Sequence, residues 1–234
     1  MKVLIICGTA HKGSTYHIAR ILAEKITDSG SIREMFLPTD FCEFCCGCTC
    51  CIVKGEERCP HYEKLRPVTE AIDEADVLIF SSPVYVYHVT GQMKALLDHY
   101  GWRFMVHRPE EKMFSKQAVA ITTAAGAGMK SAIKDITDSF FFWGIPRIYK
   151  YGKAVMESSW DRVKPKIKQS IEKKTDSLAV RIRSAEGKKL RIPLKTKGFF
   201  KLMSLMQRNG FNEKDKNYWI EKGWTGKARP WKKS

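Results

Sequence analysis

No stretch of this sequence approaches the ~18 uninterrupted apolar residues of a membrane-spanning helix, so a helical membrane protein is not expected. The opening MKVLIICGTA lacks the layout of a signal peptide and runs straight into a glycine turn; it reads as the first strand of a cytoplasmic protein. Internal repeats and low-complexity segments are absent, which sets aside solenoids and biased tracts. Neither the dinucleotide GxGxxG nor a Walker loop occurs. Acidic residues are few: 25 Asp+Glu face 41 Lys+Arg, giving a formal net charge of +16.

That charge is uneven. Residues 183–234 hold 15 Lys+Arg against four Asp+Glu, so +11 of it lies in the last 52 residues. Such a stretch suits an acidic protein, nucleic acid or an anionic membrane surface, or is simply a solvated basic face. Hydrophobic content of 44% and charged content of 28% describe a globular chain, and 234 residues fit one α/β domain plus an extension. Eight cysteines in a reducing compartment argue for metal or redox chemistry over structural disulfides.

Short apolar runs alternate with helical periodicity. Strands are expected at Lys2 to Cys7, Ser31 to Phe36, Val77 to Ser81, Gln117 to Thr122 and Arg147 to Tyr151. Helices are expected at Ser14 to Thr27, Tyr62 to Ala75, Gly91 to Tyr100, Met129 to Trp143 and Asp161 to Ile182. Five βα units with continuous apolar strands predict a doubly wound five-stranded parallel sheet over residues 1–182. Residues 183–234 form a basic C-terminal extension with one short helix, Phe199 to Met206, packed on the domain or on another subunit. Residues 38–61 form a cysteine-rich loop without periodicity, longer than an idle connection needs.

The turn after the first strand reads Gly8, Thr9, Ala10, His11, Lys12, Gly13, Ser14, Thr15. Small residues and hydroxyls at a helix start make an anion site, because first-turn amides and the positive helix end face the ligand while His11 or Lys12 adds charge. Ser14 as a plain N-cap and Gly13 as a turn residue is the bland alternative. In doubly wound sheets ligands bind beyond the carboxyl ends of the strands, where this turn lies.

The segment Ser82, Pro83, Val84, Tyr85, followed by Thr90, Gly91, Gln92, Met93 and Lys94, resembles the NADPH-dependent FMN reductase group of flavodoxin-like proteins. Over residues 1–180, the resemblance implies a flavodoxin-like fold. It also implies FMN as cofactor, with its phosphate at the turn containing Thr9, His11, Gly13, Ser14 and Thr15, and its ring against Pro83, Val84 and Tyr85. The small-residue loop Thr123, Ala124, Ala125, Gly126 lets backbone approach that ring. NAD(P)H is then a transient donor, and a homo-dimer or homo-tetramer is the expected assembly. Family phosphate loops often carry arginine where this chain has His11.

Within FCEFCCGCTCCIVKGEERCP, Cys45, Cys48, Cys51 and Cys59 stand as C-x2-C-x2-C-x7-C before Pro60, similar to the compact motif of iron-sulfur flavoproteins. Such spacing wraps a tight loop around a [4Fe-4S] cubane, and Gly47 lets the backbone curl. Zinc accepts four thiolates at similar spacing, and a redox dithiol needs only a pair. Cys42, Cys46 and Cys50 interleave, so Cys42, Cys45 and Cys48 form a second C-x2-C-x2-C register. Cys7 reads as a buried core residue. His17, His61, His88, His99 and His107 show no ligand spacing, and Trp219, Trp224 and Trp231 are expected to anchor the extension.

The sequence thus points to an FMN-dependent oxidoreductase moving electrons between NAD(P)H or a ferredoxin-like acidic carrier and an acceptor, through FMN and a cluster. The alternatives are an NAD(P)H-dependent FMN or quinone reductase whose loop holds zinc or nothing, and a polyanion or membrane-surface binding module. The chemistry belongs to the cofactors, so no catalytic side chain is named.

Overall fold

The structure, a computed structural model, describes residues 1–157 and 159–232. Its centre is a parallel sheet of five strands: β1 (Val3–Cys7), β2 (Ile32–Phe36), β3 (Val77–Pro83), β4 (Gln117–Ala124) and β5 (Arg147–Ala154), in the order β2-β1-β3-β4-β5. This is the flavodoxin-like order, with its topological switch between β1 and β3. Strand periodicity explains the continuous apolar runs. In β1, Leu4 and Ile6 turn to one face while Val3, Ile5 and Cys7 turn to the other, and helices cover both.

On one face lie α3 (Tyr62–Glu74), α4 (Gly91–Asp98) and α5 (Met129–Phe142), whose Leu65, Val68, Leu96, Ile136 and Phe140 pack against Leu4, Ile6, Leu78 and Phe80. On the other lie α1 (Ser14–Ile26) and α6 (Pro165–Arg183), where Ile18, Leu22, Ile171 and Leu178 meet Ile5, Ile79 and Val119. The α6 helix starts at Pro165 and not at Asp161. Proline restricts the residue before it to extended backbone and suits the first helical position, so Lys164 becomes the cap. Inside the 38–61 loop a short helix forms, α2 (Cys50–Val53), followed by a 3-10 turn at Glu56–Arg58.

Residues 184–232 add α7 (Leu194–Met206), five residues longer at its start than expected, and α8 (Glu213–Glu221), a second helix beyond the one expected. The Asn212 side chain caps α8 by accepting the Asp215 amide at 2.8 Å. Ile192, Phe200, Met203, Trp219 and Trp224 of this region are buried together with Met105 and Phe114 of the sheet domain, in a third apolar cluster. Met206, by contrast, stays exposed. No helix among the described residues is long and apolar enough to cross a membrane.

Trp219 is fully buried, stacks near Phe200 and Trp224, and its indole N–H donates to the His107 carbonyl at 2.5 Å. Truncating it leaves a cavity and an unpaired carbonyl. Trp219→Ala should therefore lower unfolding free energy by about 3–5 kcal/mol, read as a shifted midpoint in urea denaturation.

Candidate functional site

Parallel register brings the carboxyl ends of β1, β3 and β4 to one edge, with Cys7 beside Ser81 and Pro83 beside Thr123. Three loops leave from there. The first two are tied by a small hydrogen-bonded knot. The Gly8 N–H donates to the Ser81 carbonyl at 2.7 Å, the Thr90 hydroxyl donates to the Gly8 carbonyl at 2.7 Å, and the Thr90 N–H donates to Ser82 Oγ at 3.0 Å. Thr90 Oγ1 also accepts the Met93 amide at 3.2 Å and so caps α4. All of these groups are buried, so each bond replaces a lost water contact.

Thr9, His11, Gly13, Ser14, Thr15, Pro83, Tyr85 and Thr123 line one cavity of about 180 Å³, joined by Glu157. Eight residues selected in sequence from three separate loops thus share one space. The N-cap of α1 is Gly13, which has no side chain to accept a first-turn amide, and residues 13–15 line the cavity. Ser14 and Thr15 are buried; the Ser14 hydroxyl donates to the Glu157 carbonyl at 3.4 Å, and the Thr15 and Thr123 hydroxyls lie 2.5 Å apart. Thr9 Oγ1 donates to the His11 carbonyl at 3.2 Å and tightens the turn.

Val84, Ala124 and Gly126 do not line that cavity. Val84 supports the next loop instead: a Cβ on Gly128, whose φ is +92°, would stand 2.7 Å from Val84 Cγ1. Ala124 accepts the Val155 amide at 2.9 Å at the end of β4. Lys12, read from sequence as a charge for this site, is drawn away: its ammonium lies over the Tyr16 and Phe36 rings at 5.2 and 5.1 Å. Glu157 went unnoticed because it follows β5, far along the chain, with no motif around it.

The cysteine loop leaves the same edge after β2. Positive φ at Gly47, Thr49 and Gly55 curls it, and Phe41 is buried against the domain. All eight cysteines are free thiols. Burial pushes the Cys51 thiol up to about 11, with further contributions from Cys59, Cys45 and Cys48. Burial also raises Cys59, with Cys48, Cys45 and Cys46 adding to it. The Cys42 sulfur lies 4.0 Å from Glu43 Oε1, and hydrogen bonds from Cys50 and Cys46 lower the Cys48 thiol. Cys7, the last residue of β1, is buried, and desolvation pushes it up to about 12, the behaviour of an inert core thiol.

Two histidines without ligand spacing in sequence meet here. His61 Nδ1 lies 2.9 Å from Nε2 of the buried His99, whose own Nδ1 donates to the Ala95 carbonyl at 2.8 Å, and Cys59, His61 and His99 have donor atoms within 4.8 Å of one another. Desolvation lowers the His99 pKa. The two rings come from the start of α3 and the end of α4, and only tertiary packing brings them together.

The family model described as NADPH-dependent FMN reductase matches residues 1–157. The chain belongs to that family. A curated "Iron-sulfur flavoprotein" of Archaeoglobus fulgidus is 27% identical over 234 residues, 95% of this chain and 99% of that one. Among solved structures, an NAD(P)H:quinone oxidoreductase from Methanothermobacter marburgensis aligns with TM-score 0.59 at 14% identity, covering 81% of this chain and 97% of that one. A flavone reductase aligns with TM-score 0.58 at 13% identity, covering 79% of this chain and 62% of that one. These structures share the flavodoxin-like fold. Membership of the FMN reductase family makes this protein a flavoprotein oxidoreductase.

The knot at Gly8 generates a direct test. A Cβ there would lie 2.8 Å from Thr90 Oγ1 and 3.1 Å from Ser82 Oγ, neither of which can retreat without breaking a buried bond. Gly8→Ala should cost about 1–3 kcal/mol of stability in chemical denaturation, the usual scale for overpacking.

Proposed function

We propose that this protein transfers electrons through two centres, FMN seated at the cavity between α1 and the Pro83–Tyr85 segment, and a [4Fe-4S] cluster held by Cys45, Cys48, Cys51 and Cys59. The observation that carries the reading is that those four thiols share one loop, curled by glycines and a short turn, which leaves the same sheet edge as the cavity. A curated relative matched along nearly its whole length bears the name iron-sulfur flavoprotein, which supports the same view. When bound, FMN supplies exchange between hydride and single-electron transfer, and the cluster supplies single-electron steps.

The chain's own residues bind and orient. Ser14, Thr15 and the open amides of α1 receive the phosphate, Thr9 and His11 close the turn above it, and Thr123 braces Thr15. A cavity of about 180 Å³ is smaller than the ~300–1,000 Å³ that encloses a drug-sized ligand, so its residues would hold the phosphate end and Tyr85 at the open lip would face the rest of the cofactor. Val84, Ala124 and Gly126 shape the loops beneath that ring. An open ring face suits a transient NAD(P)H or a docked acidic carrier of the ferredoxin type, which the +16 charge favours electrostatically.

One observation favours a second occupant. Cys59, His61 and His99 converge closely enough for a single ion, and the His99 Nδ1–H on a carbonyl leaves Nε2 as a ligating atom, the usual outer-shell arrangement of a zinc histidine.

Anaerobically purified protein decides between them. The cluster reading expects roughly four iron and four sulfide per chain with flavin and charge-transfer bands, lost in single Cys→Ser variants at 45, 48, 51 or 59 and kept at 42, 46 or 50. Flavin bands with one zinc and no iron would establish the other occupant. At the flavin site, Thr15→Val should weaken FMN binding roughly tenfold, the scale of one lost hydrogen bond to a charged group, read by flavin fluorescence titration.

A further inference from the structure

Between α4 and β4, residues 106–111 run beneath the C-terminal region, and that region holds them one after another. Gln207 Nε2 donates to the Val106 carbonyl at 2.6 Å, Trp219 Nε1 to the His107 carbonyl at 2.5 Å, and Tyr218 OH to the Pro109 carbonyl at 2.7 Å. Lys222 pairs with Glu111 at 3.5 Å. In the middle sits Arg108, 4% exposed, facing the fully buried Asp215 of α8.

The guanidinium has two jobs at once. Its Nη1 donates to Asp215 Oδ1 and, at 2.9 Å, to the Ile52 carbonyl; its Nη2 donates to the Cys51 carbonyl and lies 3.5 Å from Glu56 Oε2. Cys51 and Ile52 belong to α2, a single turn whose terminal carbonyls have no following helix to donate to them. A planar fork satisfies two adjacent carbonyls and a carboxylate together, which a lysine ammonium does not match. Asp215 is itself fixed: Oδ2 accepts from His107 Nδ1 at 2.7 Å and from Asn212 Nδ2 at 2.8 Å, and its amide is held by Asn212 Oδ1.

We propose that Arg108 and Asp215 are positioning residues for the cysteine loop: through them the C-terminal region clamps the turn that carries Cys51. This gives residues 184–232 a role at the metal-binding loop in addition to their charge. The mechanical half stands on geometry alone; its consequence for cofactor retention rests on the cluster reading above. A loop with three left-handed positions and few apolar anchors opens readily by itself, and the clamp limits that opening.

The test uses the full chain in two states. In metal-free protein, trypsin cleavage after Lys54 and Arg58, quantified by mass spectrometry, should be roughly tenfold faster in Asp215→Asn and in Arg108→Lys than in the parent protein. Removing one partner of a buried pair can unfold a protein, so the double variant Arg108→Met/Asp215→Leu, which deletes both charges together, is included. It should keep its far-ultraviolet circular dichroism and its FMN yet cleave as fast as the single variants. In iron-loaded protein, loss of cluster absorbance to a chelator should accelerate roughly tenfold in the same variants with flavin retained, the scale seen when outer-shell support is removed. Unchanged loop cleavage in a folded double variant overturns the clamp. A parent protein that takes up no iron overturns the cluster reading, while the cleavage rates still decide the clamp.

Discussion

Close approach of two loops at the switch point is the constraint on which this site depends. β1 lies between β2 and β3, so the turn after β1 and the loop after β3 leave the sheet side by side. They touch only because Gly8 has no side chain where Thr90 and Ser82 come in. One hydroxyl, Thr90 Oγ1, both donates to the Gly8 carbonyl and accepts the first-turn amide of α4. The turn after β1, the loop after β3 and a helix axis are therefore set by one buried atom. Displacing it would move the Gly13–Thr15 segment relative to Pro83 and Tyr85, and a cofactor spanning both would lose the fit at each end.

The cysteine loop is organised differently. It has little core of its own: Phe41 anchors its entry and Cys51 and Ile52 lean on the main apolar cluster, while Phe44, Cys45 and Cys48 face solvent. Its shape comes from left-handed backbone positions and from polar ties to the neighbouring structure. Burial raises the Cys51 and Cys59 thiols, so a thiolate at either position needs compensating positive charge. The buried Arg108 does not serve that end, because Asp215 cancels its charge. Its contribution is geometric.

Much of this was legible in the sequence, and the limits follow from physics. Runs such as Val3–Cys7 and Val77–Phe80 announce strands covered on both faces, and the order of the three small-residue loops places eight residues at one cavity. What stayed hidden depends on contacts between distant segments. His61 and His99 meet because two helices are neighbours, Glu157 arrives from the far end of β5, and Lys12 turns toward two rings that periodicity alone does not put beside it. Helix α8 is hidden for another reason: Glu213–Glu221 is rich in charge and buries only Asp215 and Trp219, so apolar periodicity has little to register. Its local signal was Asn212, three residues before Asp215, a capping pair that sequence reading passed over.

The hairpin beyond β3 shows how the site stores strain. Tyr85 and His88 exchange backbone hydrogen bonds at 2.9 and 3.0 Å, which forces Val86 and Tyr87 to φ of 47° and 68°. Tight hairpins of this sort prefer asparagine and glycine, and a β-branched valine there is costly. Asp135 of α5 holds the turn closed, accepting from His88 Nδ1 at 3.0 Å and from the Val89 amide at 3.3 Å. The result keeps Val86 92% exposed beside the cavity-lining Tyr85. Neither burial nor backbone preference accounts for apolar side chains fixed at a lip in this way. On the two-centre reading these side chains would give the flavin a surface to meet, and a hairpin already closed presents that surface without ordering it anew at each binding event.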